Sequence, residues 1–245
     1  MTNIKLTIEY HGLPYCGWQY QKNEKTVQGE IEKAIFKFSG EKKTIQGAGR
    51  TDAGVHALAQ CANFELEKKF DEYQILNGIN FHLGTEKIRI TKVENVDQEF
   101  NARFTAKSKI YNYQVFNSQA PSVIEDDFSI HIRQPLDLEA MQNAIQLFLG
   151  NHDFSSFRAS GCNAKSPIKL MKLVKIKKLK SKIEFEFRSQ SFLKQQVRSM
   201  VGCLKFIGEK KWSIKKFVNV IKAKNRKLCA PPAPAEGLYL VKVKY

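Results

Sequence analysis

The sequence has no apolar run long enough to span a membrane, and its opening residues, MTNIKLTIEYHG, lack the apolar block of a secretory signal peptide. It also has only five cysteines among 245 residues, and no two of them have C-x-x-C spacing. An odd number of scattered cysteines argues against a disulfide framework and against a zinc ribbon. These absences predict a cytoplasmic globular protein whose thiols are reduced and mostly buried.

Motifs of the common cofactor and metal enzymes are missing as well. Gly47, Gly49 and Gly54 do not follow the G-x-G-x-x-G dinucleotide spacing, and the sequence contains no Walker-type phosphate loop. It also contains no G-x-S-x-G elbow, no H-E-x-x-H pair, and no H-x-E followed by P-C-x-x-C. We therefore expect a protein that uses neither a metal nor a cofactor.

Acidic residues are few compared with basic ones. The chain has 40 Lys and Arg against 24 Asp and Glu, which gives a formal net charge of +16. Positive charges present in such excess repel one another, and proteins commonly use them to attract a polyanion. Much of the charge lies in the segments 169–182 and 205–227, where apolar residues recur between the lysines. The composition favours a nucleic acid partner; the alternative is a set of solvated lysines with no partner.

Hydrophobic periodicity predicts both strands and helices in each half of the chain. The predicted strands are 3–10, 87–93, 109–116, 170–179, 182–189 and 237–245. The predicted helices are 26–40, 137–150, 192–208 and 213–225, with a Pro-rich loop at 229–237. Hairpin-like strand pairs indicate antiparallel sheets with helices on one face, which is an α+β fold. We divide the chain into an N-terminal half, residues 1–105, and a C-terminal half, residues 106–245.

One carboxylate has an unusual setting. Asp52 lies in GAGRTDAGVH (47–56), among small residues and two positions after Arg50. Glycines let a backbone turn sharply and let a ligand approach closely, and a carboxylate there can act as nucleophile or base. The alternative is an Asx-turn, in which Asp52 hydrogen-bonds its own backbone and Arg50 is solvated.

Other candidate residues are more ambiguous. Aromatic and basic residues alternate in 102–113, where Tyr111 either offers a face on which an unpaired base stacks or packs in the core. His56 is a structural hydrogen-bonding residue or a site residue. Arg198, predicted together with Gln195 and Gln196 in the middle of a helix, lies on the surface or points into a cleft. A guanidinium buried there would need a carboxylate partner.

Six segments, in order and over essentially the whole length, resemble the tRNA pseudouridine synthase A (TruA) family. They are YHGLPYCGWQYQ (10–21), GAGRTDAGVHA (47–57), NARFTAKSKIYNY (101–113), GNHDFSSF (150–157), FLKQQVRSMVG (192–202) and EGLYLVKVKY (236–245). The resemblance implies two ferredoxin- or RRM-like α/β halves, with antiparallel sheets that meet at a central basic cleft. It also implies an isomerase that acts as a homodimer, without metal or cofactor. Its expected substrate is uridine at positions 38, 39 and 40, in the anticodon stem-loop of tRNA.

The resemblance also implies roles for individual residues. Asp52 is the catalytic carboxylate, which either attacks C1′ of the ribose or removes the C2′ proton to form a glycal. Tyr111 stacks on the target base, and Arg198 pairs with Asp52. Arg50 contacts RNA or shapes the loop, and Leu240 packs against the base.

Three single residues and the stretch SPIK (166–169) depart from the family pattern. His11 stands where Asp is usual, Lys109 where Arg is usual, and Gln196 where Met is common. Lysine at position 109 keeps the charge but loses the planar fork of arginine. None of the departures falls on Asp52, Tyr111 or Arg198, so they concern RNA contacts rather than the reaction. Two alternatives of another class remain: an RNA-binding protein without catalysis on the same fold and, more remotely, a DNA-binding regulator.

Overall fold

The structure is a computed structural model that describes all 245 residues. Both halves of the chain contain strands and α-helices, in agreement with the predicted α+β class. The strands are β1 (Thr2–Tyr10), β2 (Gln46–Gly47), β3 (His56–Leu66), β4 (Ile88–Val96), β5 (Ser108–Asn117), β6 (Ile130–Ile132), β7 (Gly150–Asp153), β8 (Ile168–Leu179), β9 (Lys182–Ser189) and β10 (Leu238–Lys244). The helices are α1 (Val27–Ser39), α2 (Glu72–Leu83), α3 (Leu138–Ile145), α4 (Gln196–Gly208) and α5 (Ile214–Ala223). None of these helices is long and apolar enough to cross a membrane.

The chain forms two compact units. The first comprises Met1–Lys107 together with Tyr239–Tyr245, and the second comprises Ser108–Leu238. The division by sequence had placed the final strand in the C-terminal half. In the structure, Tyr239 and Leu240 of β10 pair in parallel with the start of β3, so this strand groups with the first unit.

The sheet of the first unit has the strand order β4-β1-β3, and β2 pairs with β3. Strand β1 is antiparallel to both neighbours, and α1 and α2 lie in the connections between strands. This β-α-β-β-α-β order is the ferredoxin-like arrangement. The apolar face that the alternation of β1 predicts is confirmed, because Ile4, Leu6 and Ile8 are all buried.

Helix α1 begins and ends where local chemistry predicts. The Thr26 hydroxyl oxygen accepts a hydrogen bond from the Gly29 N–H at 3.2 Å, which satisfies a donor that the first turn leaves without a partner. Gly40 ends the helix with φ at 76°, a conformation that glycine adopts without steric cost. The apolar face buries Val27, Ile31 and Ile35.

The second unit has the strand order β5-β9-β8-β7, all antiparallel, and β6 lies parallel to β5. The predicted hairpin is confirmed as β8 and β9, and Ile183, Phe185 and Phe187 on β9 alternate inward as predicted. Phe148 packs edge-on against Phe157 at 5.1 Å and against Phe217 of α5 at 5.3 Å. This aromatic cluster fixes α5 to the core of the unit.

Two predicted helices were too long. Helix α3 ends at Ile145 and is followed by a 3-10 turn, Gln146–Phe148. Helix α4 begins only at Gln196, so the prediction that Gln195 and Gln196 lie in mid-helix was wrong. Gln195 is left-handed, with φ at 58°, and the Gln196 side-chain oxygen accepts a hydrogen bond from the Leu193 N–H at 2.8 Å. The Gln196 side chain thus satisfies the N–H of Leu193, which lies before the helix.

Three elements of the first unit have no counterpart among the predictions: the two-residue strand β2, strand β3 and helix α2. Strand β3 is buried over most of its length, so its sequence lacks the alternation that marks a half-exposed strand. Helix α2 is marked by a capping box, in which Asp71 accepts from the Gln74 N–H and the Gln74 side chain accepts from the Asp71 N–H.

We predict that Leu6→Ala lowers the free energy of unfolding by about 2–5 kcal/mol, because Leu6 is fully buried and its truncation leaves a cavity. The matched control is Leu179→Ala on β8, whose side chain is 60% exposed and which should change stability by less than about 0.5 kcal/mol. Urea denaturation followed by circular dichroism measures both. Equal losses for the two variants would contradict the placement of Leu6 in the core.

Candidate active site

The candidate carboxylate lies in the loop that joins β2 to β3. Asp52 is half-buried, and its carbonyl oxygen accepts a hydrogen bond from the Val55 N–H at 3.2 Å. Gly54 lies inside this turn with φ at 79°, in the left-handed region that favours glycine. One glycine of the motif is therefore required by the turn that follows Asp52.

Thr51, the residue before Asp52, is held through both its backbone and its side chain. The Thr51 carbonyl oxygen accepts a hydrogen bond from the Trp18 N–H at 3.1 Å. Its hydroxyl group bonds to the Tyr10 hydroxyl at 2.8 Å. A Cβ added to Gly17 would lie 2.7 Å from the same carbonyl oxygen, so only glycine allows this close approach. These contacts fix the position of the backbone from which the Asp52 side chain extends.

The Tyr10 phenol is a neutral partner in this contact. Burial raises its pKa far above its usual range, and hydrogen bonds from Thr51 and Gln60 lower it only in part. The Gln60 side chain also donates to the Gly49 carbonyl oxygen at 2.8 Å. Residues of β1 and β3 thus hold the loop on both sides of Arg50 through uncharged hydrogen bonds.

The far end of the loop rests on His56. The Gly12 N–H donates to Nδ1 of His56 at 3.1 Å, and the buried imidazole stacks on Tyr239 at 4.7 Å. His11, which departs from the family pattern, also stacks on His56, with ring centroids 4.9 Å apart. A Cβ added to Gly12 would collide with the Val55 carbonyl oxygen. His56 therefore has a structural role at the end of the loop.

Arg50 is exposed, in contrast to Thr51 beside it. Its Nε donates to the Gln19 side-chain oxygen at 2.8 Å, and the Gln19 amide donates to the Gln28 side-chain oxygen at 2.9 Å. One hydrogen bond thus orients a guanidinium that solvent can reach. This arrangement fits either of the predicted roles, contact with RNA or support of the loop.

Tyr111 and Arg198 belong to the second unit. Tyr111 lies on β5, is 7% exposed, and packs edge-on against Phe192 with ring centroids 5.0 Å apart. Arg198 is half-buried in the first turn of α4. The stacking of Tyr111 on a base and the pairing of Arg198 with Asp52 stay predictions.

The Pro-rich loop holds Arg198 in place. Nε of Arg198 donates to the Ala233 carbonyl oxygen at 2.7 Å, and the Ala233 N–H donates to the Arg198 carbonyl oxygen at 2.9 Å. A Cβ added to Gly202, one turn further along α4, would collide with the Pro231 carbonyl oxygen. The loop backbone therefore lies directly against the helix that carries Arg198.

Leu240 is fully buried on β10, where it pairs with Ala57 at the start of β3. Its contact with a base also stays a prediction.

Tyr10 and Trp18 were missed as supports of the site, although both lie in the segment 10–21 that carries the family resemblance. Their role as supports is visible only in the folded chain, where both contact Thr51.

The exposed charge lies partly on the second unit. On the hairpin, Lys175 and Lys177 face Glu186 and Glu184 across the strands, so part of that positive charge is compensated. Helix α5 buries Phe217 and Val220 and exposes Lys215, Lys216 and Lys222.

No group of three or more His, Cys, Asp or Glu side chains in the chain could hold a metal ion.

Comparisons with known proteins agree with these observations. A family described as tRNA pseudouridine synthase matches residues 6–105 and 144–245. A tRNA pseudouridine synthase A of Pelagibacter ubique is 48% identical over 246 residues, with both chains covered completely. Proteins of the same name are 42% identical in Rhodospirillum centenum, over the full length of both chains, and 45% identical in Ehrlichia canis, over 98% of this chain and 99% of the relative. A half-buried aspartate in an anchored glycine-rich loop and full-length identities of this size lead to one conclusion: the chain belongs to the tRNA pseudouridine synthase A family.

Proposed function

We propose that this protein is an isomerase that converts uridine to pseudouridine in tRNA, with Asp52 as the reacting carboxylate. Its family membership supports the reaction. The observation that carries the assignment of Asp52 is its loop, because Thr51 is fixed on backbone and side chain while Asp52 itself is only half-buried. A rigid support for an accessible group is the arrangement that catalysis requires.

The reaction needs few groups from the protein. The bond between N1 of uracil and C1′ of the ribose breaks, the base rotates, and its C5 joins C1′. The product is an isomer of the substrate, so no second substrate is consumed. Asp52 either attacks C1′ and forms a covalent intermediate, or removes the C2′ proton and forms a glycal. Both routes require the carboxylate to reach the ribose of a nucleotide that has left the helix.

The finer parts of the proposal concern the substrate. The target uridines are those at positions 38, 39 and 40 in the anticodon stem-loop, and a homodimer binds the tRNA. Extrusion of a stacked base costs on the order of a few kcal/mol, which phosphate contacts and base stacking offset. The net charge of +16 supplies phosphate contacts, Tyr111 provides the stacking surface, Leu240 packs against the base, and Arg198 pairs with Asp52.

A protein that binds tRNA without modifying it is the second candidate, since charge and fold would serve that role as well. The intact Asp52 loop favours catalysis. Release of tritium from tRNA that carries uridine labelled at C5 separates the two functions, because only formation of the new C5–C1′ bond displaces that atom. Release at catalytic protein concentrations would reject the binding-only function.

We predict that Asp52→Asn lowers the rate of pseudouridine formation by about 1,000-fold or more, because loss of the reacting group removes the chemical step. Binding of tRNA, measured by filter binding, should change by less than about threefold, since the amide replaces one side chain among many contacts. Asp97→Asn, at an exposed position of the same unit, is the matched control and should retain full turnover. Full turnover by the Asp52 variant would show that another group carries the reaction.

We further predict that Tyr10→Phe lowers kcat by about 3- to 10-fold, because it removes the hydrogen bond to Thr51, a contact of the kind that contributes about 0.5–1.5 kcal/mol. The Kd for tRNA should stay unchanged, since Tyr10 is buried and cannot contact RNA. Single-turnover rates and filter binding together measure the two effects. The control is Tyr73→Phe, at a residue that is 76% exposed, which should leave kcat unchanged. An unchanged kcat for the Tyr10 variant would show that Tyr10 does not help to position Asp52.

A further inference from the structure

Two thiols of the second unit lie in contact. The Sγ atoms of Cys203 and Cys229 are 3.4 Å apart, within hydrogen-bond distance for sulfur. Cys203 is buried on α4, whereas Cys229 is partly exposed and follows the 3-10 turn Arg226–Leu228. Cys229 is therefore the residue of the pair that a small reagent reaches more readily, and its sulfur contacts that of the buried Cys203.

The surroundings make the two thiols unequal. The hydrogen bond from Cys203 lowers the pKa of Cys229, and the positive charge of Arg226 lowers it further, against the effect of burial. The same hydrogen bond, together with burial, raises the pKa of Cys203, so this residue keeps its proton. The thiolate is the reactive form of cysteine, and it is therefore favoured at the sulfur that solvent can reach.

We propose that Cys203 and Cys229 form a redox modification site, at which a peroxide oxidises the dithiol to a disulfide and turnover falls. The Cys229 thiolate attacks one peroxide oxygen, the O–O bond breaks, and Cys229 becomes a sulfenic acid while hydroxide leaves and takes up a proton to form water. The sulfur of Cys203 then attacks the Cys229 sulfur, and the hydroxyl group leaves as a second water with the Cys203 proton. Two thiols are oxidised and one peroxide is reduced to two waters.

The effect on turnover rests on the proposed function and on where Cys229 lies. It begins the loop whose Ala233 accepts the hydrogen bond from Arg198, and Cys203 lies on the same helix as Arg198. A disulfide needs the sulfurs about 2.05 Å apart, so the contact of 3.4 Å must shorten by more than an ångström. Cys229 belongs to the same loop as Ala233, so this movement acts on the segment that supports Arg198.

The other cysteines provide controls. The Glu24 carboxylate accepts a hydrogen bond from Cys16 at 2.9 Å, which raises the pKa of that exposed thiol. Burial raises the pKa of Cys61 to about 11. Cys162 has a lowered pKa, because hydrogen bonds from the Lys194 and Ala164 backbone and from Arg158 outweigh the effect of burial. It is thus the sharpest control: a thiol outside the pair whose pKa is also lowered.

The first experiment exposes the reduced full-length chain to a small excess of hydrogen peroxide and then determines intact mass and disulfide-linked peptides. We expect the loss of two hydrogen atoms and a single linked pair, Cys203 with Cys229, which dithiothreitol reverses. Cys162→Ser should give the same pair, and Cys229→Ser should not lose the hydrogens. No linked pair, or one that involves Cys16 or Cys162, would overturn the assignment. These readouts need no enzymatic activity, so they stand apart from the proposed function.

The second experiment tests which thiol reacts first and whether turnover responds. In Cys203→Ser, dimedone should trap a sulfenic acid on Cys229; an adduct on Cys203 in Cys229→Ser would reverse the proposed order. Tritium release by the wild-type chain should fall severalfold on oxidation and recover with dithiothreitol, whereas release by Cys229→Ser should not respond to peroxide. An equal rate for the oxidised and reduced wild-type chains would contradict the proposed effect on turnover. It would not contradict formation of the disulfide, which the first experiment tests.

Discussion

The contact on which the proposed site depends is the one between Tyr10 and Thr51. It joins the end of β1 to the residue before Asp52 by a hydrogen bond of 2.8 Å in a buried setting. A loop rich in glycine loses much conformational entropy when it is ordered, so it needs such contacts to keep one geometry. The Trp18 N–H and the close approach of Gly17 add backbone contacts to the same residue, Thr51. Catalysis by a side chain on a loop requires this degree of constraint, because small displacements of a reacting group are costly.

The second unit supports Arg198 in a similar way. A Pro-rich loop lies against α4, and Ala233 bonds both the backbone and the side chain of Arg198. Gly202 permits this approach, since any larger residue would meet the Pro231 carbonyl oxygen. In both units a polar side chain with a proposed role in the reaction lies next to a segment that neutral hydrogen bonds hold in place. Such contacts do not depend on pH near neutrality, because neither partner carries a charge.

Sequence patterns predicted the elements that are half-exposed and locally capped. Helix α1 follows from its apolar spacing between Thr26 and Gly40, and β9 follows from its strict alternation. Strand β3 escaped prediction because burial on both faces removes the alternation. The start of α4 was misplaced because apolar residues continue before it, while the left-handed Gln195 and the side chain of Gln196 decide where helical bonding begins. These boundaries are set by single hydrogen bonds, which periodicity cannot show.

By itself, the sequence determined the chemical character of this protein: a basic α+β chain of the pseudouridine synthase family, with Asp52 and Arg50 in one short loop. That information is local, because motif spacing and composition are read along the chain. Only the tertiary structure decided that Tyr10 holds Thr51, that β10 pairs with the first unit, and that Cys203 touches Cys229. These pairs lie far apart in sequence, and they meet only because folding buries enough apolar surface to offset the entropy lost when distant segments are brought together.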